Sequence, residues 1–332
     1  MVSLRILRAG PGTTIQDKGR RGYLRFGVGE SGPMDWIGHA RANILASNAP
    51  GVAALEIGIG GIELQAEGGP VWIGHAGAPF DLARNGTALP SCGRTRLQAG
   101  DRLTVKPAAQ GSWFYLSPAG GIMASPVLGS LATNLRTGLG PPPVTAGTVL
   151  SLGSPAQELT TELICPIDTP ADLPRTVRVV PGPQDDYFST RELARFFAET
   201  YRVSAKSDRM GYRLEGTLLR HAKGFNIVSD AIALGAIQVP GDGSPIVLMA
   251  DHQPTGGYPK LGHVIRADIG RLAQCRPGTD VRFAPTSVQT AQVELLAALD
   301  CLKTMLHREE RKEADLSSER LLSVNLISGV YE

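Results

Sequence analysis

The chain lacks the features that mark several common classes of protein. Its 332 residues contain 4 cysteines, and none of them forms a Cys-x-x-Cys pair, which argues against zinc ribbons and thioredoxin-like redox motifs. No apolar run reaches the ~18 residues that a membrane-spanning helix needs. The N-terminus lacks the apolar core and the cleavage site of a secretory signal. We therefore expect a cytoplasmic protein with free thiols and no membrane contact.

Charge is sparse and balanced. Charged residues make up 19% of the chain, with 33 basic and 31 acidic side chains and a net charge of +2. No basic stripe is present, so we expect no nucleic acid partner. The P-loop, the GxSxG motif and the HExxH motif are all missing from the sequence. The 6 histidines never occur at metal-ligand spacing, so we expect no metal site formed by this chain.

Glycine and proline, in contrast, are abundant, with 40 and 24 residues spread along the chain. Short strand-like runs separated by turn residues recur every ~8–12 residues, which is typical of β-sandwiches and barrels. Asn85-Gly86 suits the two-residue turn of a hairpin. Helical periodicity is confined to residues 33–46, 189–201 and 287–308. The sequence therefore predicts a mainly β fold with a few helices.

The order of strands, one helix and more strands occurs twice, and a proline-rich connector lies between the two halves. At ~100–200 residues per domain, the length of the chain also favours two domains. We predict an N-terminal domain with its connector over residues 1–174, and a C-terminal domain over 175–290. A helix and tail over 291–332 are predicted to dock on the body, with a final strand at 321–330.

The densest group of reactive side chains lies between two apolar segments, in the run Asp251-His-Gln-Pro-Thr-Gly-Gly-Tyr-Pro-Lys260. Loops between buried strands are frequent positions for binding and catalytic groups, which favours a functional site here. A simple hairpin whose turn is made by Gly256-Gly257 explains the same pattern equally well.

Two polar turns carry arginine, namely Gln16-Asp-Lys-Gly-Arg-Arg-Gly22 and Ser207-Asp-Arg-Met-Gly211. Arginine binds carboxylate or phosphate through a fork of two hydrogen bonds, so either turn suits a clamp for a charged ligand. The alternatives are a solvated turn with a local Asp–Arg pair and a helix-exit turn. We expect both turns and the loop near residue 256 to converge on one cleft between the two domains.

A series of short motifs runs through the chain in a specific order. Its main members are Pro11-Gly-Thr-Thr-Ile-Gln-Asp-Lys-Gly-Arg20, Gly27-Val-Gly-Glu-Ser-Gly-Pro-Met-Asp35, Ala42-Asn43, Leu55-Glu56, Ser207-Asp-Arg-Met-Gly-Tyr-Arg-Leu-Glu-Gly216, Gly235-Ala-Ile-Gln-Val-Pro240, Asp251–Lys260 and Ala267-Asp268. Together these motifs resemble the allophanate hydrolase subunit 2 or KipA-like family of biotin-dependent carboxyltransferases, which includes the C subunit of bacterial 5-oxoprolinase. The resemblance covers about residues 4–290.

The resemblance implies a fold of two packed cyclophilin-like β-barrels. It also implies an enzyme subunit, because 5-oxoprolinase uses ATP with Mg²⁺ to open the lactam of 5-oxo-L-proline to L-glutamate. The implied partners are a subunit-1 (KipI-like) protein and a LamB/YcsF-type subunit, and the implied substrate is a small amide. Two alternatives stay open, namely the carboxyltransferase component of a biotin-dependent urea or small-amide carboxylase, and a non-catalytic KipA-like regulator. No Met-Lys-Met motif is present, so biotin, if the reaction uses it, must be carried by a partner.

Residue chemistry and the resemblance together predict the site. We expect Asp251, Lys260 and Arg209 to be catalytic, with Asp251 as a general base or cation holder. The predicted ligand-binding residues are Gln16, Asp17, Arg20, Asn43, Gln238, Gln253, Thr255, Gly256, Gly257 and Tyr258. Two departures from the family lie nearby: Pro254 replaces a frequent threonine, and residues 139–145 replace a Gly-rich, Arg-containing segment.

Overall fold

A computed structural model describes residues 2–165 and 176–315, with side chains described as far as residue 305. The strands of the first half are β1 (Ser3–Ala9), β2 (Thr14–Gln16), β3 (Ala54–Ile57), β4 (Ile62–Glu67), β5 (Val71–Gly77), β6 (Asp81–Arg84), β7 (Thr87–Leu89), β8 (Gly93–Leu97), β9 (Arg102–Lys106), β10 (Phe114–Pro118), β11 (Ile122–Met123), β12 (Val149–Leu152) and β13 (Leu163–Ile164). They form a seven-stranded sheet, β11-β12-β1-β4-β9-β6-β7, and a six-stranded sheet, β13-β8-β5-β10-β3-β2.

The second half contains a closed barrel. The strands of this half are β14 (Thr176–Pro181), β15 (Thr200–Val203), β16 (Gly211–Glu215), β17 (Asp230–Ala231), β18 (Ala236–Gln238), β19 (Ile246–Leu248), β20 (Thr255–Gly256), β21 (Lys260–Val264) and β22 (Asp280–Pro285). The barrel order is β14-β21-β18-β19-β16-β15-β22, and β17 pairs with β20 as a separate ribbon. The prediction of a mainly β fold is confirmed.

The helices are α1 (Trp36–Leu45), α2 (Thr190–Ala198), α3 (Arg266–Ala273) and α4 (Val288–Asp315). α1 begins after Pro33 because Asp35 is the N-cap, its carboxylate accepting from the Gly38 amide at 3.1 Å. The predicted helix over 189–201 ends earlier, since Thr200–Val203 pairs with barrel strands on both sides. The predicted helix over 287–308 runs on to Asp315.

α3 was missed, because residues 264–267 had the pattern of a strand. The strand ends at Val264, and a helix begins at Arg266 with no side-chain cap to signal it. Two further predictions lie outside the described residues, namely the domain boundary at 174/175 and the final strand at 321–330. None of the helices within the described ranges combines the length and apolarity needed to span a bilayer.

Each half has its own apolar core. In the first half the two sheets enclose residues such as Leu4 and Leu64 from one sheet and Leu55 and Phe114 from the other. The alternating burial of β4, with every second residue buried, reflects a strand that has one face on that core. In the barrel, Phe196 of α2 stacks on Phe283 with ring centroids 4.9 Å apart.

The two halves are joined by polar contacts as well as by packing. The Gln274 side-chain oxygen accepts hydrogen bonds from the amides of Ser112 and Trp113, at 2.9 and 3.0 Å. Its amide nitrogen donates to Asp35 at 2.8 Å, at the start of α1. These buried bonds cross from the barrel half to the sheet half, so they set the width of the cleft between them.

The loop over 251–260 is not a hairpin, and that part of the prediction was wrong. The flanking strands β19 and β21 do not pair with each other, because β18 lies between them in the barrel. Gln238 of β18 faces Ile246 on one side and Lys260 on the other. The loop therefore crosses over the end of β18. By contrast, Asn85-Gly86 does form the predicted hairpin turn, with positive φ angles of 50° and 83°.

Candidate functional site

A cavity of about 720 Å³ lies between the two halves of the molecule. Its first-half wall includes Ile59, Trp113, Leu135 and Arg136, and its second-half wall includes Ser207, Asp208, Arg209, Met210, Tyr212 and Asp251. The turn between β15 and β16 therefore places Arg209 at the cavity. The start of the 251–260 loop places Asp251 there. A pocket of this volume, largely apolar with a few polar groups, is typical of small-molecule sites.

Arg209 is the hub of the polar groups at this cavity. Its Nε donates to Asp251 Oδ2 at 2.8 Å and its Nη2 donates to Asp251 Oδ1 at 3.1 Å, which makes a bidentate fork. Nη2 also donates to the Gly32 carbonyl at 2.8 Å, and Nη1 donates to Glu56. Burial alone lowers the Arg209 pKa, but Glu56 and Asp251 outweigh it and raise that pKa above its usual value.

Glu56 belongs to this cluster, although its role was not predicted. It lies in β3, is fully buried, and accepts hydrogen bonds from the Met34 amide at 2.7 Å and the Tyr115 hydroxyl at 2.9 Å. Burial raises the Glu56 pKa, while the Arg209 charge and the Met34 amide lower it. The one available signal was a carboxylate within the apolar run Ala54–Ile57.

One N–H donor of Arg209, on Nη1, has no hydrogen-bond partner among the described residues. A guanidinium has five N–H donors, and the bonds to Asp251, Gly32 and Glu56 use four of them. Because Arg209 and Asp251 both line the cavity, a ligand there meets an N–H donor and a carboxylate acceptor on one rigid pair. This arrangement matches the donor and acceptor of an amide group.

Arg20 is buried close to the same cluster. It is 1% exposed, its Nη2 donates to the Ala132 carbonyl, and its Nε and Nη1 have no hydrogen-bond partner in the described structure. Burial lowers the Arg20 pKa, and the charges of Asp17 and Asp251 raise it. Both turns therefore lie near Asp251, but only the turn over 207–211 and Asp251 itself line the cavity, so the predicted convergence of all three segments on one cleft is not observed.

Other predicted ligand-binding residues hold the structure together. Asp17 accepts from the Ser130 hydroxyl at 2.6 Å and from the Leu131 amide at 2.7 Å, and Gln16 donates to the Thr133 carbonyl at 2.9 Å. The turn over 16–20 therefore anchors the loop over 130–133, which leads to Arg136 at the cavity. Asn43 is completely buried inside a network that links α1 to β10.

A second polar centre lies at the far end of the 251–260 loop. Lys260 is 2% exposed, and its Nζ donates to Asp230 at 2.7 Å, a bond that lowers the Asp230 pKa. Gln238 Nε2 is buried there without a partner in the described structure. A Cβ on Gly256 would lie 2.7 Å from that nitrogen and 2.6 Å from the end of the Ile232 side chain, so a larger residue here would have to displace both side chains. A buried amide without a protein partner has room for a further acceptor, such as a water molecule or a ligand oxygen.

The remaining predicted residues lie around this second centre. Thr255 and Gly256 pair with Ala231 and Asp230, so the loop tip is held against the β17 ribbon. Gln253 and Gly257 are half-buried, and Tyr258 is 40% exposed. Within residues 2–165 and 176–315, no group of three or more His, Cys, Asp or Glu side chains is arranged to hold a metal ion.

Comparison with known proteins places this architecture in one class. The chain belongs to the carboxyltransferase domain family, subdomains A and B, whose family model matches residues 26–285. It is 34% identical to the C subunit of 5-oxoprolinase from Escherichia coli (strain K12) over 298 residues, covering 87% of this chain and 93% of that protein. It is 35% identical to the C subunit of 5-oxoprolinase from Haemophilus influenzae, covering 84% of this chain and 89% of that protein. The family membership predicted from the short motifs is confirmed.

The same fold occurs in a larger enzyme. The crystal structure of Kluyveromyces lactis urea amidolyase matches with a TM-score of 0.82 at 27% identity, over 91% of this chain and 20% of that chain. This chain therefore corresponds to one domain of that protein.

Proposed function

We propose that this chain is the C subunit of an ATP-dependent 5-oxoprolinase complex, which opens the lactam of 5-oxo-L-proline to L-glutamate. The observation that carries the proposal is the end-to-end likeness to two 5-oxoprolinase C subunits, at 34% and 35% identity. The partners proposed with it are a subunit-1 (KipI-like) protein and a LamB/YcsF-type subunit, and its proposed location is the cytoplasm.

The Arg209–Asp251 pair supports an amide-binding role. In this proposal the lactam N–H donates to Asp251 while an N–H of Arg209 donates to the lactam oxygen, which makes the carbonyl carbon more electrophilic towards water. As water adds to the carbonyl carbon and the C–N bond breaks, Asp251 passes a proton from that water to the ring nitrogen, which becomes the amine of glutamate. Arg136, whose Nη1 lies 2.7 Å from Met210 Sδ on the cavity wall, would attract the substrate carboxylate.

Lys260 and Gln238 form the second centre of the proposal. The Lys260 ammonium has three donors, and a single described bond, to Asp230, uses one of them. The remaining donors and the unpartnered Gln238 amide suit an oxygen-rich group of a substrate or intermediate. In this proposal Lys260, which the sequence predicted to be catalytic, holds a ligand together with Gln238 and the loop tip.

The central cavity does not fit the triphosphate of ATP. Its two cations, Arg136 and Arg209, face the carboxylates of Asp208 and Asp251 on the cavity wall, with buried Glu56 directly behind. A site without excess positive charge does not attract a polyphosphate. We therefore assign no step that involves ATP to this cavity.

The proposal is tested with the assembled complex. The chain is purified with its two partner subunits, supplied with ATP, Mg²⁺ and 5-oxoproline, and assayed for glutamate. We expect D251N to lower kcat by about 100-fold or more, as loss of a positioned proton acceptor does. R136Q should raise KM by about tenfold, as loss of one charged hydrogen bond does. R191Q, an equal charge change at an exposed position of α2, is the control.

Two results would overturn the proposal. One is a complex that forms no glutamate while the Escherichia coli complex does so in the same assay. The other is a D251N variant that keeps full activity. Because D251N also breaks a buried ion pair, its melting temperature must be compared with that of the wild type before its kcat is interpreted.

Urea or small-amide carboxylation is the second candidate function. It is favoured by the family description and by the likeness to urea amidolyase. The apolar wall formed by Ile59, Trp113 and Leu135 suits a neutral bicyclic ring such as biotin, which would bring the carboxyl group from a partner. An avidin blot of proteins that co-purify with this chain distinguishes the two functions, because only the carboxylase requires a biotinylated band.

A further inference from the structure

A second cavity, of about 390 Å³, lies where α1, α3 and α4 meet. Its polar lining comes from four cationic side chains on three segments of the chain, together with Trp36 and His39. The cations are Lys18, Arg21, Arg266 and Lys303. No Asp or Glu is among the lining residues within the described part of the chain. We call this cavity the basic pocket.

Arg266 occupies an electrostatically unfavourable position in the basic pocket. It is the first residue of α3, where the helix dipole is positive and disfavours a cation. Its guanidinium lies over the Trp36 ring, 5.4 Å from the centroid, and the Trp36 indole donates to the Arg266 carbonyl at 3.1 Å. The side chain is therefore held in place by stacking, with no ion-pair partner among the described residues.

The charges around Arg266 are predominantly positive. Burial lowers the Arg266 pKa to about 10, the Arg21 charge lowers it as well, and Glu30 opposes these effects to a smaller extent. Among the residues that the structure describes, no hydrogen bond or ion pair of the side chain engages Arg266, Arg21 or Lys18. Lys303 contacts Asp300 at 3.2 Å, on the exposed face of α4.

We propose that the basic pocket binds the phosphate group of a small anionic ligand. Such a group offers several oxygen acceptors and up to two negative charges, which matches cations that converge from separate segments. A carboxylate carries a single charge and two oxygens, so it would leave some of the four cations of the basic pocket without a partner. The volume of the pocket suits a small molecule. The proposal concerns a site separate from the central cavity and holds whichever reaction occurs there.

The polar turn over 16–22 contributes to two different sites, because its side chains point in opposite directions. Arg20 points inward and is buried near Asp251, whereas Lys18 and Arg21 are exposed at the basic pocket. The sequence suggested that this turn clamps a charged ligand. The structure assigns the clamp to Lys18 and Arg21 together with Arg266, which is 245 residues further along from Arg21 in the numbering of the chain.

The test is a binding titration of the full-length protein. Inorganic phosphate, pyrophosphate and Mg²⁺-free ATP are titrated separately at constant ionic strength, and binding is followed by calorimetry and by tryptophan fluorescence. We expect saturable binding, a change in Trp36 emission, and at least a tenfold weaker affinity in R266Q. R191Q carries the same charge change at a remote exposed position, and its affinity should equal that of the wild type.

Further variants separate the outcomes. R21Q, on an exposed turn, should weaken binding without affecting folding, and W36F should lose the fluorescence response while calorimetry still detects heat. Equal affinities for the three phosphates would indicate that one phosphate group is recognised, and tighter binding of ATP would indicate that the rest of the nucleotide also contributes. Absence of saturation in the wild type, unchanged affinity in R266Q and R21Q, or equally tight binding of succinate would each overturn the proposal.

Discussion

Arg209 and Arg266 are both largely withdrawn from water, yet their surroundings are opposite. Arg209 donates to two carboxylates, and these raise its pKa despite its burial. Arg266 has an aromatic ring on one side and another arginine nearby, and its pKa falls to about 10. The guanidinium group thus has two direct carboxylate partners at the central cavity, whereas at the basic pocket the charge of Glu30 offsets its burial only in part.

The comparison separates two uses of a buried cation. A compensated cation fixes the geometry of its neighbours, because removing it strands the carboxylates that surround it. An uncompensated cation stabilises little by itself and gains most from a ligand of opposite charge. Substitutions at the two sites should therefore differ in size and even in sign.

The largest effect is expected for R209M. The substitution leaves Glu56 and Asp251 buried without a cation, so we expect the free energy of unfolding to fall by about 3–5 kcal/mol. Urea-induced unfolding followed by circular dichroism measures the change, and R191M at an exposed position of α2 serves as the control. A loss below about 1 kcal/mol would mean that the buried cluster behaves like a surface ion pair, and the comparison would fail.

Acidification tests a third buried basic side chain, that of His75, which unlike arginine can lose its proton and become neutral. His75 in β5 is 2% exposed, and burial lowers its pKa from 6.5 to about 4. The folded protein thus favours neutral His75, a contribution that is complete above pH 6.5 and is lost as pH falls towards 4. Wild type should lose up to about 3 kcal/mol more than H75Q over this range. Parallel stability profiles of the two proteins would contradict the assignment.

A smaller effect is expected for Y115F. The Tyr115 hydroxyl donates to Glu56 at 2.9 Å and accepts from the Asp35 amide at 2.8 Å, both in the interior. Removing it leaves the Asp35 amide without its acceptor, at a cost of about 1–3 kcal/mol. In the R209M background the cost should change, because both residues contact Glu56. Strict additivity in this double-mutant cycle would argue against a coupled cluster.

Part of the site was accessible from the sequence. Arg209 and Asp251 lie in polar turns next to apolar strands. Such turns predict functional groups from the local sequence, without knowledge of their position in the fold. The mainly β fold followed from the spacing of glycine and proline. The prediction of a hairpin at 251–260 failed because β18, which precedes β19 in the chain, inserts between the two flanking strands. Local pattern carries no information on such insertions.

Other features were inaccessible for a physical reason. Glu56 looks like an ordinary polar position of a strand until Arg209, 153 residues away, is placed against it. Trp36 and Arg266 are likewise brought together only by the packing of α1 against α3. Compensation of a charge is a property of the folded neighbourhood, so the sequence does not distinguish a paired arginine from an unpaired one.

The smallest change in stability is expected for R266Q. It tests the comparison most sharply, because R209M should destabilise the protein whereas R266Q should not. R266Q removes a cation from the start of α3 and from the neighbourhood of Arg21, so in phosphate-free buffer the variant should be as stable as the wild type or more stable by up to about 1 kcal/mol. Phosphate should raise the melting temperature of the wild type by more than that of R266Q at the same concentration. If R266Q were as destabilised as R209M, Arg266 would have to be a compensated structural cation, and the distinction between the two arginines would disappear.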